Sequence, residues 1–329
     1  MDGMQPAAPF SAAALRIDTA AETRRIAAAV REQVLRRLRR RGVVIGLSGG
    51  VDSSVTAALC VEALGRDRVL ALLMPEQDSD PESLELGRLV ARHLGLGWVV
   101  EDIAPVLAAL GCYERRDAAI RRVVPEFGPG WGCKLVLDGA MRARGYNLSS
   151  LVVHGPNGRQ ERHRLPLEAY LAVVAATNMK QRTRKQIEYH HADRLGYAVA
   201  GTPNRLEYDQ GFFVKNGDGA ADIKPIAHLY KSQVYQLAGH LGLPEEIRRR
   251  PPTTDTWSLP QSQEEFYFSV PWAVMDLCLF ALERGVPAAE AAVASGLAPA
   301  EVEAVWRDIG AKRKAAQYLH AQPLLMEDP

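Results

Sequence analysis

The chain has 329 residues, 47% of them apolar and 24% charged, with a formal net charge of +1. That length can bury a substantial core, in one large α/β domain or a domain with extensions. The near-zero charge excludes a global field drawing nucleic acid or an acidic membrane, so neither is expected as a partner.

Residues 1–18 open Ala- and Pro-rich and are expected to be frayed. From Thr19 to Arg41 the pattern is helical, with Ile26, Val30, Val34, Leu35 and Leu38 on one side and arginines such as Arg31, Arg36, Arg37 and Arg40 on a solvated face. The stretch "VVIGLSGGVDSSVTAALC", Val43 to Cys60, then runs from a buried strand through a glycine turn into a helix, placed from Ser54 onward. Gly49 and Gly50 allow the sharp bend because they lack a Cβ. "RVLALLMPEQ" reads as a second strand, "DPESLELGRLVARHLGL" as a helix and "GWVVEDIAPV" as a third strand. This alternation implies right-handed crossovers and a doubly wound parallel sheet, whose ligands bind at the carboxyl ends of the strands.

Residues 111–166 read as an insertion over the main sheet, in the manner of a lid, with "HGPNGRQERH" as a hairpin tip between "SSLVV" and "RHRLPL". A helix starts at Leu167, "YAVAGT" is a fourth strand, and a further helix centres on "YKSQVYQLAGHLG". The main domain is expected over residues 19–270, and a helical C-terminal extension over 271–329.

Cys60, Cys112, Cys133 and Cys278 form no CxxC pair, which argues against a zinc ribbon, a persulfide relay or a disulfide scaffold and fits a reducing compartment. The N-terminal stretch lacks a basic start followed by an apolar core, and no apolar run approaches the roughly 18 residues of a membrane span. A cytoplasmic location is expected.

The glycine turn carries the chemistry. A turn feeding a helix presents free N–H groups and the positive end of the helix dipole, a site for phosphate. A Walker A loop would end in Gly-Lys-Ser/Thr, but here Asp52 stands where a cation would be wanted. An aspartate beside phosphates makes sense if it holds Mg²⁺. Ser48, Ser53 and the backbone amides would then cradle the β- and γ-phosphates, which leave as pyrophosphate. A substrate carboxylate would attack the α-phosphorus to give an acyl adenylate, and a nitrogen nucleophile would displace AMP. Such a site needs positioning and charge neutralisation, and no covalent protein nucleophile is expected.

"SGGVDSS" resembles the pyrophosphate loop of the adenine-nucleotide α-hydrolase superfamily, which implies a Rossmann-like fold of that type and places Gly46, Leu47, Ser48, Gly49, Gly50, Val51, Asp52 and Ser53 around ATP. "GTPNRLEYDQGFFVKNGDGAADIKPIAHLYKSQV", Gly201 to Val234, resembles the signature of the NAD synthetase family. "NMKQRTR" upstream and "PPTTD…QSQEE" downstream extend the likeness over most of residues 43–270. The resemblance implies ATP and Mg²⁺ as cosubstrate and cofactor, with Thr202, Lys231 and Thr253 on ATP and Glu207 joining Asp52 on the metal. It places Arg182, Lys215 and Asp222 on the deamido-dinucleotide, and Lys312 and Arg313 near its phosphate or carboxylate. Bland readings stand beside several of these: a capping threonine for Thr253, a surface charge for Arg184, an exposed basic helix for Lys312 and Arg313.

The implied reaction converts nicotinic acid adenine dinucleotide (deamido-NAD) to NAD at the expense of ATP and ammonia. The roughly 42 residues before the first strand cannot hold an amidase domain, so nitrogen is expected as free ammonia or from a separate subunit. The family is homodimeric, and the apolar stripes near Ala169–Ala176 and at the C-terminus are expected to face a partner. Val214, Asn216 and Gln263 depart from the family pattern, which keeps open a paralogue acting on another carboxylate. Asp52→Asn is expected to remove turnover while leaving folding intact.

Overall fold

The computed structural model describes residues 9–137 and 149–326. Val43, Val44 and Ile45 are all fully buried because β1 (Val43–Gly46) lies inside a sheet covered on both faces. Val43 and Ile45 enter one apolar cluster and Val44 the opposite one, the alternation a strand imposes. β1 pairs in parallel with β2 (Val69–Leu73), as Ile45 opposite Ala71, and with β7 (Ala198–Val199); β3 (Gly97–Val100) lies beyond β2. The order β3-β2-β1-β7 puts a topological switch point between β1 and β7. A crevice opens there at the carboxyl ends of the strands.

One face of this sheet packs on α1 (Thr19–Arg31), α2 (Val51–Leu64), α3 (Pro81–His93), α8 (Lys231–His240) and α9 (Glu245–Arg249). The other packs on α4 (Ala104–Ala109), α5 (Cys112–Arg121) and the C-terminal half of α6 (Leu167–Leu195). α10 (Trp272–Arg284), α11 (Ala288–Ser295) and α12 (Pro299–His320) build a separate cluster that also takes Leu206 of α7 (Arg205–Gln210) and Leu15.

Several expectations are corrected. Part of the expected frayed segment is anchored: Ala12–Leu15 forms a 3-10 turn, Leu15 is buried and Phe10 stacks on Phe280 at 5.8 Å, while residues 1–8 lie outside the described residues. The helix from Thr19 passes into a π-turn at Glu32–Arg37 and stops before Arg39, whose φ of 52° is left-handed, so Leu38 is exposed. α2 starts at Val51, not Ser54, which puts Asp52 and Ser53 in its first turn.

The hairpin is present: β5 (Ser149–His154) and β6 (Gln160–Arg164) pair antiparallel around a turn with Gly158 at φ 78°, and β4 (Gly132–Leu137) adds a third strand. This sheet has its own core beside the main sheet, and the ends of β4 and β5, Leu137 and Ser149, reach the wall of the cavity at the carboxyl ends of β1 and β2. Its core, with Cys133, Leu135, Leu151 and Val153, closes on Ala169 and Val173 of α6 and on Trp257. The expected partner stripe near Ala169–Ala176 is therefore covered within the chain at Ala169, Val173 and Ala176, leaving Leu171 exposed on it and Leu167 exposed just before it. Val302, Val305 and Ile309 of α12 are likewise buried against α10 and α11. Residues 138–148 of the insertion lie outside the described residues.

Candidate active site

A cavity of about 830 Å³ opens at the carboxyl ends of β1 and β2. That is within the roughly 300–1,000 Å³ typical of small-molecule sites. Of the loop residues expected at ATP, Gly46, Leu47, Ser48, Gly50, Val51, Asp52 and Ser53 line it, as do Thr202, Lys231 and Thr253. Gly49 is the exception. It turns toward α3 at φ 74°, where a Cβ would lie 2.6 Å from the Leu86 Cβ and 3.0 Å from the Ser83 carbonyl oxygen. Glycine is required there by packing and backbone conformation together.

The phosphate loop is braced by its own hydroxyls. Ser53 Oγ donates to the Gly50 carbonyl at 3.1 Å and lies 3.3 Å from Ser48 Oγ, which accepts from the Gly50 N–H at 3.3 Å. Arg250 reaches in from the C-terminal end of α9, donating to Ser83 Oγ at 2.9 Å and to the Ser48 carbonyl at 3.4 Å.

Asp52 is the hub of the charges. Lys231 Nζ, brought from the start of α8, donates to Asp52 Oδ2, and Asn204 Nδ2 donates to Asp52 Oδ1 at 3.1 Å. Asn204 and Glu207 form a reciprocal capping box on α7: Asn204 Oδ1 accepts from the Glu207 N–H at 3.2 Å, and Glu207 Oε2 accepts from the Asn204 N–H at 3.1 Å. The other oxygen of Glu207 accepts from Gln263 Nε2 at 3.0 Å. Burial, with Asp52 adding its negative charge, pushes Glu207 up to about 8 against the pull of Lys231. Burial alone would depress Lys231, but Asp52 and Glu207 outweigh it and hold the ammonium above its ordinary value.

A buried Glu207 raised by the neighbouring Asp52 charge, beside a phosphate loop, suits Mg²⁺, which takes one or two protein carboxylates together with phosphate oxygens and water. No cluster of three metal-seeking side chains occurs among the described residues, which is in keeping with that sparse donor set.

The residues expected on the dinucleotide separate. Lys312 is buried in the cavity wall and donates to the Tyr267 carbonyl at 2.6 Å and Asp308 at 2.7 Å. Arg313 lies outside the wall and pairs with Asp209 and Glu283 at 2.8 and 3.0 Å. Neither belongs to an exposed basic helix. Arg182, Lys215 and Asp222 are also outside the wall. Arg182 Nε donates to the Lys215 carbonyl at 3.2 Å, and Lys215 Nζ caps the end of α12 through the Tyr318 and Ala321 carbonyls at 2.8 and 3.1 Å. Asp222 accepts the Val199 N–H at 2.7 Å.

Arg184, read from the sequence as a surface charge, lines the cavity and donates to the Met74 carbonyl at 3.2 Å. Sequence reasoning also missed Arg250, Glu76, Glu188 and the buried Lys180. Arg184 had a signal: it follows Tyr170, Val174 and Gln181 at helical spacing, and all four face the cavity.

The parallel sheet, the switch-point crevice and the phosphate loop define an α/β nucleotide-binding protein of the adenine-nucleotide α-hydrolase fold. A family model described as NAD synthase matches residues 22–123 and 160–316, and the chain belongs to that family. The unmatched residues between those two stretches contain β4 and β5. The chain is 66% identical over 318 residues to the NH(3)-dependent NAD(+) synthetase of Rhizobium meliloti (strain 1021), covering 97% of this chain and 95% of that one. It is 38% identical over 245 residues to the enzyme of the same name from Thermotoga maritima, covering 74% and 81%. Among solved structures, an NMN synthetase from Francisella tularensis superposes with a TM-score of 0.66 at 20% identity, over 94% of this chain and 99% of that one. An NH3-dependent NAD synthetase from Campylobacter jejuni superposes at 0.62 and 23% identity, over 95% and 100%. These two establish the fold alone.

Proposed function

We propose that the chain is an ammonia-dependent NAD synthetase. It joins deamido-NAD to AMP through an acyl adenylate, releases pyrophosphate, and admits ammonia to give NAD and AMP. The carrying observation is the 66% identity to a synthetase of that name over 97% of the chain, together with a phosphate loop whose Asp52 meets Lys231 beside Glu207 in one cavity.

Ser48, Ser53 and the first-turn amides of α2 hold the β- and γ-phosphates, where the helix N-terminus favours negative charge. Lys231 trades Asp52 for a phosphate oxygen when the nucleotide enters, and its fixed ammonium stabilises charge growing on the leaving pyrophosphate. Asp52 and Glu207 would hold Mg²⁺, which when bound would neutralise the phosphates in a wall where carboxylates outnumber cations. Thr202, Thr253 and Arg184 fix the nucleotide from three further sides, so the α-phosphorus stays in line with the incoming carboxylate. The distal half of deamido-NAD extends past the cavity wall toward Arg182, Lys215 and Asp222, with Lys312 in the wall at the C-terminal side and Arg313 beside it, outside the wall. Val214 and Asn216 are compatible with this reading: Val214 N–H bonds Asp218 at 2.7 Å, and Asn216 takes φ 59°, which asparagine tolerates better than most residues.

We also propose a cytoplasmic homodimer. Leu167 and Leu171 are exposed on α6, and among the described residues no helix is long and apolar enough to cross a membrane. Sedimentation of the purified protein tests the dimer.

The activity is tested by incubating the chain with deamido-NAD, ATP and an ammonium salt. NAD, AMP and pyrophosphate in equal amounts are expected. AMP released without NAD would overturn the choice of acyl substrate.

A further inference from the structure

Along α6 the cavity wall takes Tyr170, Val174, Thr177, Gln181, Arg184 and Glu188, one face of the helix. Glu188 ends that face and is 7% exposed. Its Oε2 accepts from Lys185 Nζ at 2.5 Å. Its Oε1 points to the end of β1, where a Cβ built on Gly46 would meet it at 3.2 Å, and would meet Met74 Cε at the same distance. A carboxylate oxygen thus sits where the first two strands end, just ahead of the phosphate loop.

Glu188 is paired with Lys185, apart from the Asp52–Glu207 pair, and with no cation among the described residues to bridge it to phosphate it is not a phosphate contact, because like charges repel strongly in such surroundings. It has acceptors only, so its partner on the ligand must be a donor. The sugar of a nucleotide whose phosphates sit on the loop adjoins them, and its hydroxyls are donors. Gly46 keeps the space beside Oε1 open for it.

We propose that Glu188 accepts a hydrogen bond from a ribose hydroxyl of the bound nucleotide and so selects ribonucleoside over deoxyribonucleoside triphosphates. Lys185 is the positioning residue that neutralises and orients the carboxylate. The inference rests on the reading of the cavity as an ATP site.

The test is equilibrium binding of ATP, 2′-deoxy-ATP and 3′-deoxy-ATP with Mg²⁺ to the full chain, by calorimetry. The wild type is expected to bind at least one deoxy form about tenfold or more weakly than ATP, the scale of one hydrogen bond to a charged group. Glu188→Gln should lose most of that preference. The double variant Lys185→Met/Glu188→Leu, which removes both members of the pair together, should bind all three within about twofold. Undiminished discrimination in either folded variant, or none in the wild type, overturns the proposal. A wild type that binds no ATP overturns the cavity reading and this inference together. ATP binding with full discrimination but no NAD formation supports Glu188 and overturns only the acyl substrate.

Discussion

Asp276 of α10 seats Lys231: its carboxylate accepts the Lys231 N–H at 3.1 Å and the Ser232 N–H at 2.6 Å, the first free donors of α8. The side chain is fully buried, and burial raises its pKa to about 6 against the pull of those two bonds. The helix that aims Lys231 at Asp52 is therefore set by the C-terminal helices, which act as part of the site. Asp276→Asn keeps one acceptor but turns a donor toward an N–H. It is expected to cost roughly 1–3 kcal/mol in urea unfolding, the scale of a lost charged hydrogen bond. It should also lower kcat more than it raises KM for ATP, because Lys231 is displaced from charge that develops during reaction. Unchanged kcat in a folded Asp276→Asn protein would sink this link.

The pairing of Asp52 with Lys231 revises what Asp52→Asn should do. From sequence the substitution only removes a metal ligand. In the structure it also strips the counter-charge from an ammonium that is 2% exposed. Glu207 is close enough to raise Lys231 as well, so part of the loss is made up. Turnover is expected to fall at least about 100-fold, with a stability loss of roughly 1–3 kcal/mol, below the usual cost of breaking a buried pair. Asp52→Asn/Lys231→Met should recover the melting temperature but not the activity. If the single variant melts like wild type, the pair contributes nothing to the fold.

Glu207 makes stability depend on pH. Its unfolded value is 4.5 and its folded value about 8, so between these the folded chain keeps a proton that the unfolded chain has released. Stability from this group is present below pH 4.5 and is lost as pH rises toward about 8, at no more than about 1.4 kcal/mol per pH unit. Glu207→Gln cannot ionise. Its melting temperature, in metal- and ligand-free protein, should gain on wild type steadily from pH 5 to about pH 8 while its synthetase activity disappears. A constant offset across that range would mean that Glu207 is not desolvated as described.

The first strand and its turn were legible because a continuous apolar run, two glycines and a helix start are local signals. The pairing of Asp52 with Lys231 was not, since 179 positions separate them and neither neighbourhood encodes the other. Arg182 and Arg184 show the same limit at short range. Two residues apart on a helix, they diverge, and only the placement of α6 against β1 decides which meets the cavity. Gln263 stood in the sequence only as a departure from the family pattern. In space it supplies the N–H that Glu207 accepts, where an acid would add a like charge. The three-stranded insertion was read as its hairpin without β4, because β4 is half hidden by the segment around Trp257, a contact that no local pattern announces.

Lys180 is the last case, and it joins stability to the site. It is 1% exposed and donates to Glu76 at 2.9 Å, Asp78 at 2.6 Å and the Thr256 carbonyl at 2.7 Å. Arg116 also pairs with Asp78, and Tyr113 donates to Glu76 at 2.9 Å. Replacing Lys180 by Met leaves two buried carboxylates sharing one remaining cation, so a loss of about 3–5 kcal/mol is expected in urea unfolding. The freed Thr256 carbonyl also releases the loop that carries Thr253 and Arg250 to the cavity, and KM for ATP should rise severalfold. Lys180→Met/Glu76→Gln removes one of the stranded charges and should regain part of the stability without restoring KM, because the loop still lacks its anchor. If Lys180→Met keeps the wild-type urea midpoint, the buried network does not hold this part of the fold. If its KM is unchanged despite that loss, the loop is anchored elsewhere.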